Sequence, residues 1–152
     1  MFGLNRFRSA FWINEQRLWT FASLILVIPT GFYTKFYDGP AADWVNDSLG
    51  GVFYEVFWCL LIFLVFPTMR TWRTAIGVLM VTCALEFAQW WHPPALTLIR
   101  SHFLGATLLG TTFSWLDFPY YLGGTAIGWA WMSWLRNRFT PRRSVKTTIS
   151  NG

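Results

Sequence analysis

Of 152 residues, 54% are apolar, 20% aromatic and only 12% charged, and the apolar residues gather into long runs, which reads as an integral membrane protein. The net charge of +5 has no basic face of a soluble fold behind it, which excludes nucleic acid as a partner. Cys59 and Cys83 fall inside apolar runs, with no CxxC and no histidine at ligand spacing, so they read as packing residues.

A bilayer core of about 30 Å takes roughly 17–25 helical residues to cross. Four stretches read as spans: Leu18 to Tyr33, Gly50 to Phe66, Thr74 to Trp91, and Trp115 to Leu135. Backbone in lipid must satisfy its own hydrogen bonds, and these lengths exclude barrel strands, so the expectation is all-α. The first span follows Arg6, Arg8 and Arg17, and Pro29-Thr30-Gly31-Phe32 offers no small-residue cleavage site, so it is expected to be a retained anchor. The third span stops at His92-Pro93-Pro94, where proline cannot donate into the helix. Beyond it, Leu96, Ile99, Arg100 and Phe103 recur at helical spacing, which predicts a short helix at the outer surface. Leu104 to Phe113, with Gly105 and Gly110, either dips back into the bilayer or lies on its surface. The fourth span opens at Asp117-Phe118-Pro119, a helix-start pattern. The expected architecture is a four-helix transmembrane bundle with one additional short interfacial or re-entrant helix between spans three and four. It forms a single domain over residues 1–138, followed by a basic, flexible tail over 139–152.

Ten of the twelve basic residues lie in the N-terminal arm, the second loop (Arg70, Arg73) and the tail, whereas the first loop sets Lys35 against Asp38, Asp43 and Asp47. By the positive-inside rule both termini are cytoplasmic. The tryptophans agree, falling near the two proposed interfaces except for Trp58.

Carboxyl groups inside such runs are costly, about 2.5–3.5 kcal/mol on insertion scales, so Glu55, Glu86 and Asp117 stand out. Orientation places Glu55 about one turn into the second span from its outer end, Glu86 roughly a turn and a half from the outer end of the third, and Asp117 at the outer start of the fourth. Helical spacing groups Gly51, Tyr54, Glu55 and Trp58 on one face, Glu86, Gln89 and Trp90 on another, and Asp117, Tyr121, Gly124 and Gly128 on a third. If these faces point inward, Glu55, Glu86, Gln89, Asp117, Tyr54 and Tyr121 line one outer polar pocket, with Arg100 as its cation. Gly124-x-x-x-Gly128 is a close-packing motif of membrane helices. Each acid also has a structural reading: Asp117 as a cap, Glu86 paired with Arg100, and Glu55 reaching the interface. His92 and His102 read as interfacial hydrogen-bonders.

Glu86-x-x-Gln89, Arg100, the stretch Leu109-Gly110-Thr111-Thr112-Phe113-Ser114-Trp115-Leu116-Asp117 and Tyr121-x-x-Gly124-x-x-x-Gly128 together resemble domain of unknown function 2809, a family of small bacterial membrane proteins. The chain also looks distantly like the VanZ-like proteins. The resemblance runs from roughly Phe32 to Leu135 and implies a bacterial-type inner membrane, with a hint of the cell surface, but no reaction. Two departures stand out: Gly50-Gly51 where many family members read Gly-Asp, the acid coming later at Glu55, and Tyr121 in place of the VanZ-like Asn.

The expected function is binding of a lipid or envelope amphiphile, or service as a small accessory subunit of a membrane complex or homo-oligomer. The alternative is a membrane-embedded enzyme with Glu86 or Asp117 as general acid or base and Arg100 on a phosphate. There is no Ser-His pairing, HExxH or glycine-rich phosphate loop, no cofactor is expected, and a divalent cation on Glu55, Glu86 and Asp117 has only weak support. Proton or ion transport ranks last, because no span carries an acid in its cytoplasmic half.

Overall fold

The computed structural model describes residues 3–91, 94–102, 105 and 113–139, and side chains from Asn14 onward for most of these. Among them every regular element is helical: α1 (Gly3–Lys35), α2 (Ala42–Trp44), α3 (Gly50–Val65), α4 (Thr71–Trp91), α5 (Pro94–Arg100) and α6 (Asp117–Phe139). α3, α4 and α6 start and stop within a few residues of the runs read from the sequence, and α5 sits where a short helix is expected. His92, most of Leu104 to Thr112 and the tail from Thr140 lie outside the described residues, so the choice between a re-entrant and a surface segment lies there too.

Two boundaries differ from expectation. α1 extends in the N-terminal direction to Gly3, well before Leu18, and as expected it continues past Pro29. α3 does not begin abruptly at Gly50. A π-helical turn over Val45–Leu49 joins it to α2, so helix runs from Ala42. The polar residues Asp43, Asn46 and Ser48 hide this continuation from a hydrophobicity reading, because apolar runs mark the buried part of a helix and not its end.

α3 is the central element. It packs on α1, α4 and α6, and no residue from Gly50 to Leu64 is exposed. Leu24 and Val27 of α1, Val56, Cys59, Leu60 and Phe63 of α3, Ala75 and Val78 of α4, and Met132 and Leu135 of α6 form the apolar core. One end of the molecule gathers the basic loops. There Arg17 donates to the Val65 carbonyl, Arg136 donates to the carbonyls of Pro67 and Met69, Thr71 and Ser133 share a hydrogen bond of 3.0 Å, and Trp19 stacks on Phe139. The opposite end holds Lys35, Trp44 and Tyr120, where the Trp44 indole N–H donates to the Tyr120 hydroxyl at 2.9 Å. The long helices therefore run alternately up and down between a basic end and an acidic one, where the connection bearing Asp38 and Asp43 and the Asp117 start of α6 lie.

The outward faces are apolar and the inward faces partly polar. On α4 the buried residues include Thr71, Thr74, Thr82, Glu86 and Gln89, whereas Ile76, Met80, Val81, Phe87 and Trp90 are exposed. On α1, Gln16, Thr20 and Thr34 are buried beneath exposed Leu18, Phe21, Ile25, Leu26 and Phe32. Hydroxyls on α1 are satisfied within the helix: Thr20, Ser23 and Thr30 each donate to the carbonyl four residues back. By length and composition, Thr71–Trp90 is the described helix that is long and apolar enough to cross a membrane, and a third of it is buried. α3 is strongly apolar but shorter. α1 and α6 are diluted by charged, hydroxyl-bearing and indole side chains.

Candidate functional site

Glu86 and Gln89 lie one turn apart on the buried face of α4, near the acidic end. Glu86 is 2% exposed and its two oxygens are held by three different elements. Oε1 accepts the backbone N–H of Ser114 at 3.0 Å, and Oε2 accepts the Tyr121 hydroxyl at 2.9 Å and the Gln89 side-chain amide at 3.2 Å. One carboxyl thus ties α4 to α6 and to the turn that precedes α6. Ser114 organises that turn twice more, accepting from the Leu116 N–H through its hydroxyl and from the Asp117 N–H through its carbonyl.

An aromatic cluster joins α4 to the turn that precedes α6. Phe113, Trp115 and Phe118 pack on one another and on Phe87, with centroid separations from 5.0 to 6.3 Å, and Trp90 stacks on Phe113 at 5.7 Å. The Phe113-x-Trp115 pair flanks Ser114 in sequence, and its ring contacts pin the turn whose amide reaches Glu86.

Glu55 occupies a second level. It is fully buried on α3, and its Oε2 accepts the Thr125 hydroxyl at 2.9 Å while Thr82 faces the same carboxyl. Its Oε1 has no hydrogen-bond partner among the described residues. Thr82 is one turn before Glu86 on α4, and Thr125 is one turn after Tyr121 on α6, so Glu55 lies about 6 Å deeper than Glu86. Distance from the apolar run's outer end alone places Glu86 deeper than Glu55. The order reverses because helix continues outward from Gly50 to Ala42, which moves Glu55 away from the helix end.

The glycine pair explains how α3 and α6 come so near. A Cβ on Gly124 would meet the Glu55 Cβ and the Val52 carbonyl oxygen, each at 2.7 Å, and one on Gly128 would meet the Cys59 Cβ at 2.9 Å. The close approach at Gly124 and Gly128 seats Glu55 directly against α6.

The remaining candidates are distributed differently. Asp117 opens α6, half-buried, one turn before Tyr121. Tyr54 shares α3 with Glu55 but sets its ring edge-on to Trp58 at 6.1 Å and reaches the groove facing α1, so the face Gly51-Tyr54-Glu55-Trp58 splits. Gly51 and Glu55 look at α6, while Tyr54 turns toward α1; a 100° step per residue separates them. The Arg100 side chain lies outside the described residues, and His102 is exposed. Among the described residues no group of acids, histidines or cysteines is placed to hold a metal ion. Ser114, Thr82 and Thr125 were missed by the sequence reading. Thr82 and Thr125 were legible as polar residues one turn from Glu86 and Tyr121, whereas Ser114 contributes a backbone amide that no residue type announces.

Searches of curated proteins and of solved structures find no match to this chain. A family model described as protein of unknown function (DUF2809) matches residues 41–125, just over half the chain. That range runs from α2 through α4 and its following connection to Thr125, and so contains Glu55, Glu86, Gln89, Ser114, Tyr121 and Thr125. The chain belongs to the DUF2809 family.

Proposed function

We propose that this is an integral membrane protein, a four-helix bundle of a bacterial-type inner membrane with both termini cytoplasmic, that binds a lipid or envelope amphiphile or serves as a small accessory subunit of a membrane complex. The inverted distribution of polarity supports the membrane reading: α4 buries threonines and acids and exposes Ile76, Met80, Val81 and Phe87, an arrangement suited to lipid and unsuited to water. From Ala42 to Val65 the helix is about 36 Å long, enough for a core of about 30 Å. The gathering of Arg17 and Arg136 at one end is consistent with a cytoplasmic face there.

A binding or scaffold role rather than turnover is carried by one observation, the three protein donors on Glu86. A general acid or base must touch its substrate, and this buried carboxyl is engaged by three protein donors, two of them from outside α4. The enzymatic alternative draws on Glu55, whose Oε1 lacks a partner among the described residues, but that atom is sealed between α3 and α6.

Purification of the intact protein in mild detergent, followed by native mass spectrometry, tests the proposal. A retained phospholipid, isoprenoid or protein subunit is the expected result. A bare monomer that converts an amphiphile, with Glu55→Gln abolishing conversion and leaving the fold intact, would overturn it in favour of the enzyme.

A further inference from the structure

We propose that the groove between α1 and α3 seats one acyl chain of an anionic phospholipid, with the Lys35 ammonium on its phosphate. The inference rests on the membrane reading above, and it concerns a face of the bundle distinct from the buried carboxyls.

The groove encloses about 210 Å³ and is walled by Val27, Ile28 and Gly31 of α1 and Phe53 and Phe57 of α3. Its lining is apolar apart from the Tyr54 phenol and from the mouth, where Lys35 closes α1 beside Gly50. A Cβ on Gly50 would lie 3.5 Å from the Lys35 Nζ, so the ammonium stands directly over the opening. Among the described residues this ammonium takes part in no hydrogen bond or ion pair, and the nearby loop acids Asp38 and Asp43 do not take it up. An unpaired cation above an apolar slot is complementary to an anionic headgroup above a hydrocarbon chain.

Length agrees with that occupant. From Lys35 to Val27 the wall rises about 12 Å, against about 15 Å for one leaflet of a hydrocarbon core of about 30 Å. The groove therefore accommodates a chain from a single leaflet, running from headgroup level to near the midplane. Gly31 forms the floor at this depth by letting α1 lie close on Phe53: a Cβ there would stand 3.2 Å from the Phe53 Cβ.

The test uses the full chain in mild detergent, titrated with phosphatidylglycerol or phosphatidylcholine of identical acyl chains and read by native mass spectrometry. Retention of the protein in membranes through an alkaline carbonate wash is scored first. Its loss there refutes the membrane reading itself, whereas the lipid titration addresses the groove alone. The expected result is a preference for phosphatidylglycerol of about fivefold, the scale of one basic side chain acting on an anionic lipid. Lys35→Gln brings that ratio to near one without weakening phosphatidylcholine binding. Ile28→Trp, which fills the slot, lowers retention of both lipids, and Ile76→Trp on the exposed face of α4 lowers neither. Equal binding of the two lipids, a preference that survives Lys35→Gln, or undiminished retention by Ile28→Trp overturns the proposal.

Discussion

Replacing Gly124 by alanine adds one methyl group where α6 lies against α3. The new Cβ would stand 2.7 Å from the Val52 carbonyl oxygen, 2.7 Å from the Glu55 Cβ and 3.0 Å from the Val52 Cα, whereas ordinary contact begins near 3.4 Å. Two of these three atoms belong to the backbone, so no rotamer change relieves the clash, and the helices must part by roughly 0.7 Å. Overpacking that shifts backbone costs about 1–3 kcal/mol. The same separation stretches the 2.9 Å bond from Thr125 to Glu55, adding to the loss. Gly123→Ala is the matched control, since a Cβ there meets nothing within 4 Å. Both substitutions gain the same helix propensity, about 1 kcal/mol, so it cancels in their difference. Thermal unfolding in mild detergent, followed by the intrinsic fluorescence of the eleven tryptophans, measures that difference. Gly124→Ala is expected to be less stable than Gly123→Ala by about 1–3 kcal/mol. Equal midpoints, or a lower one for Gly123→Ala, would refute the packing argument.

Tyr121→Phe removes one of three donors from a buried carboxyl and is expected to cost about 1–3 kcal/mol, whereas Tyr120→Phe removes a bond on the exposed rim and leaves the unfolding midpoint near that of the unaltered chain. The same unfolding assay compares them, and comparable losses would show that Glu86 does not depend on its helix-bridging contact. A small maleimide is expected to modify the partly exposed Cys83 of the folded protein and to reach the fully buried Cys59 only after unfolding, with peptide mass spectrometry assigning the sites. Early labelling of Cys59 would contradict the close seat of α3 on Gly128.

Some features were legible because they depend on local pattern. Gly124-x-x-x-Gly128 announces a close helix pair, since only glycine lets backbones meet at that distance, and the structure places Cys59 and Glu55 against it. The pairing of Glu86 with Gln89 follows from their spacing alone. The depth of Glu55 was not legible, because a π-helical turn built from Val45, Asn46, Asp47, Ser48 and Leu49 carries helix through residues that look like loop. Tyr54 was grouped with Glu55 on spacing that allows a wide face, and the presence of α1 on one side and α6 on the other divides that face.

What the amino-acid order alone determined was local: the all-helical character, the extents of α4 and α6 to within a few residues, the alternation of basic and acidic connections, and the three acids that stand out within apolar runs. Helix periodicity and the cost of unpaired backbone act within a segment, so they can be read within one. Only the tertiary structure decided which donor meets which acid. The Ser114 amide, the Tyr121 hydroxyl and the Gln89 amide converge on Glu86 from three elements, and Thr125 reaches Glu55 across seventy residues of chain. Such contacts depend on the crossing of α3 with α6 and of α4 with α6. That geometry is set by side-chain volumes on both partners at once, which no single segment contains.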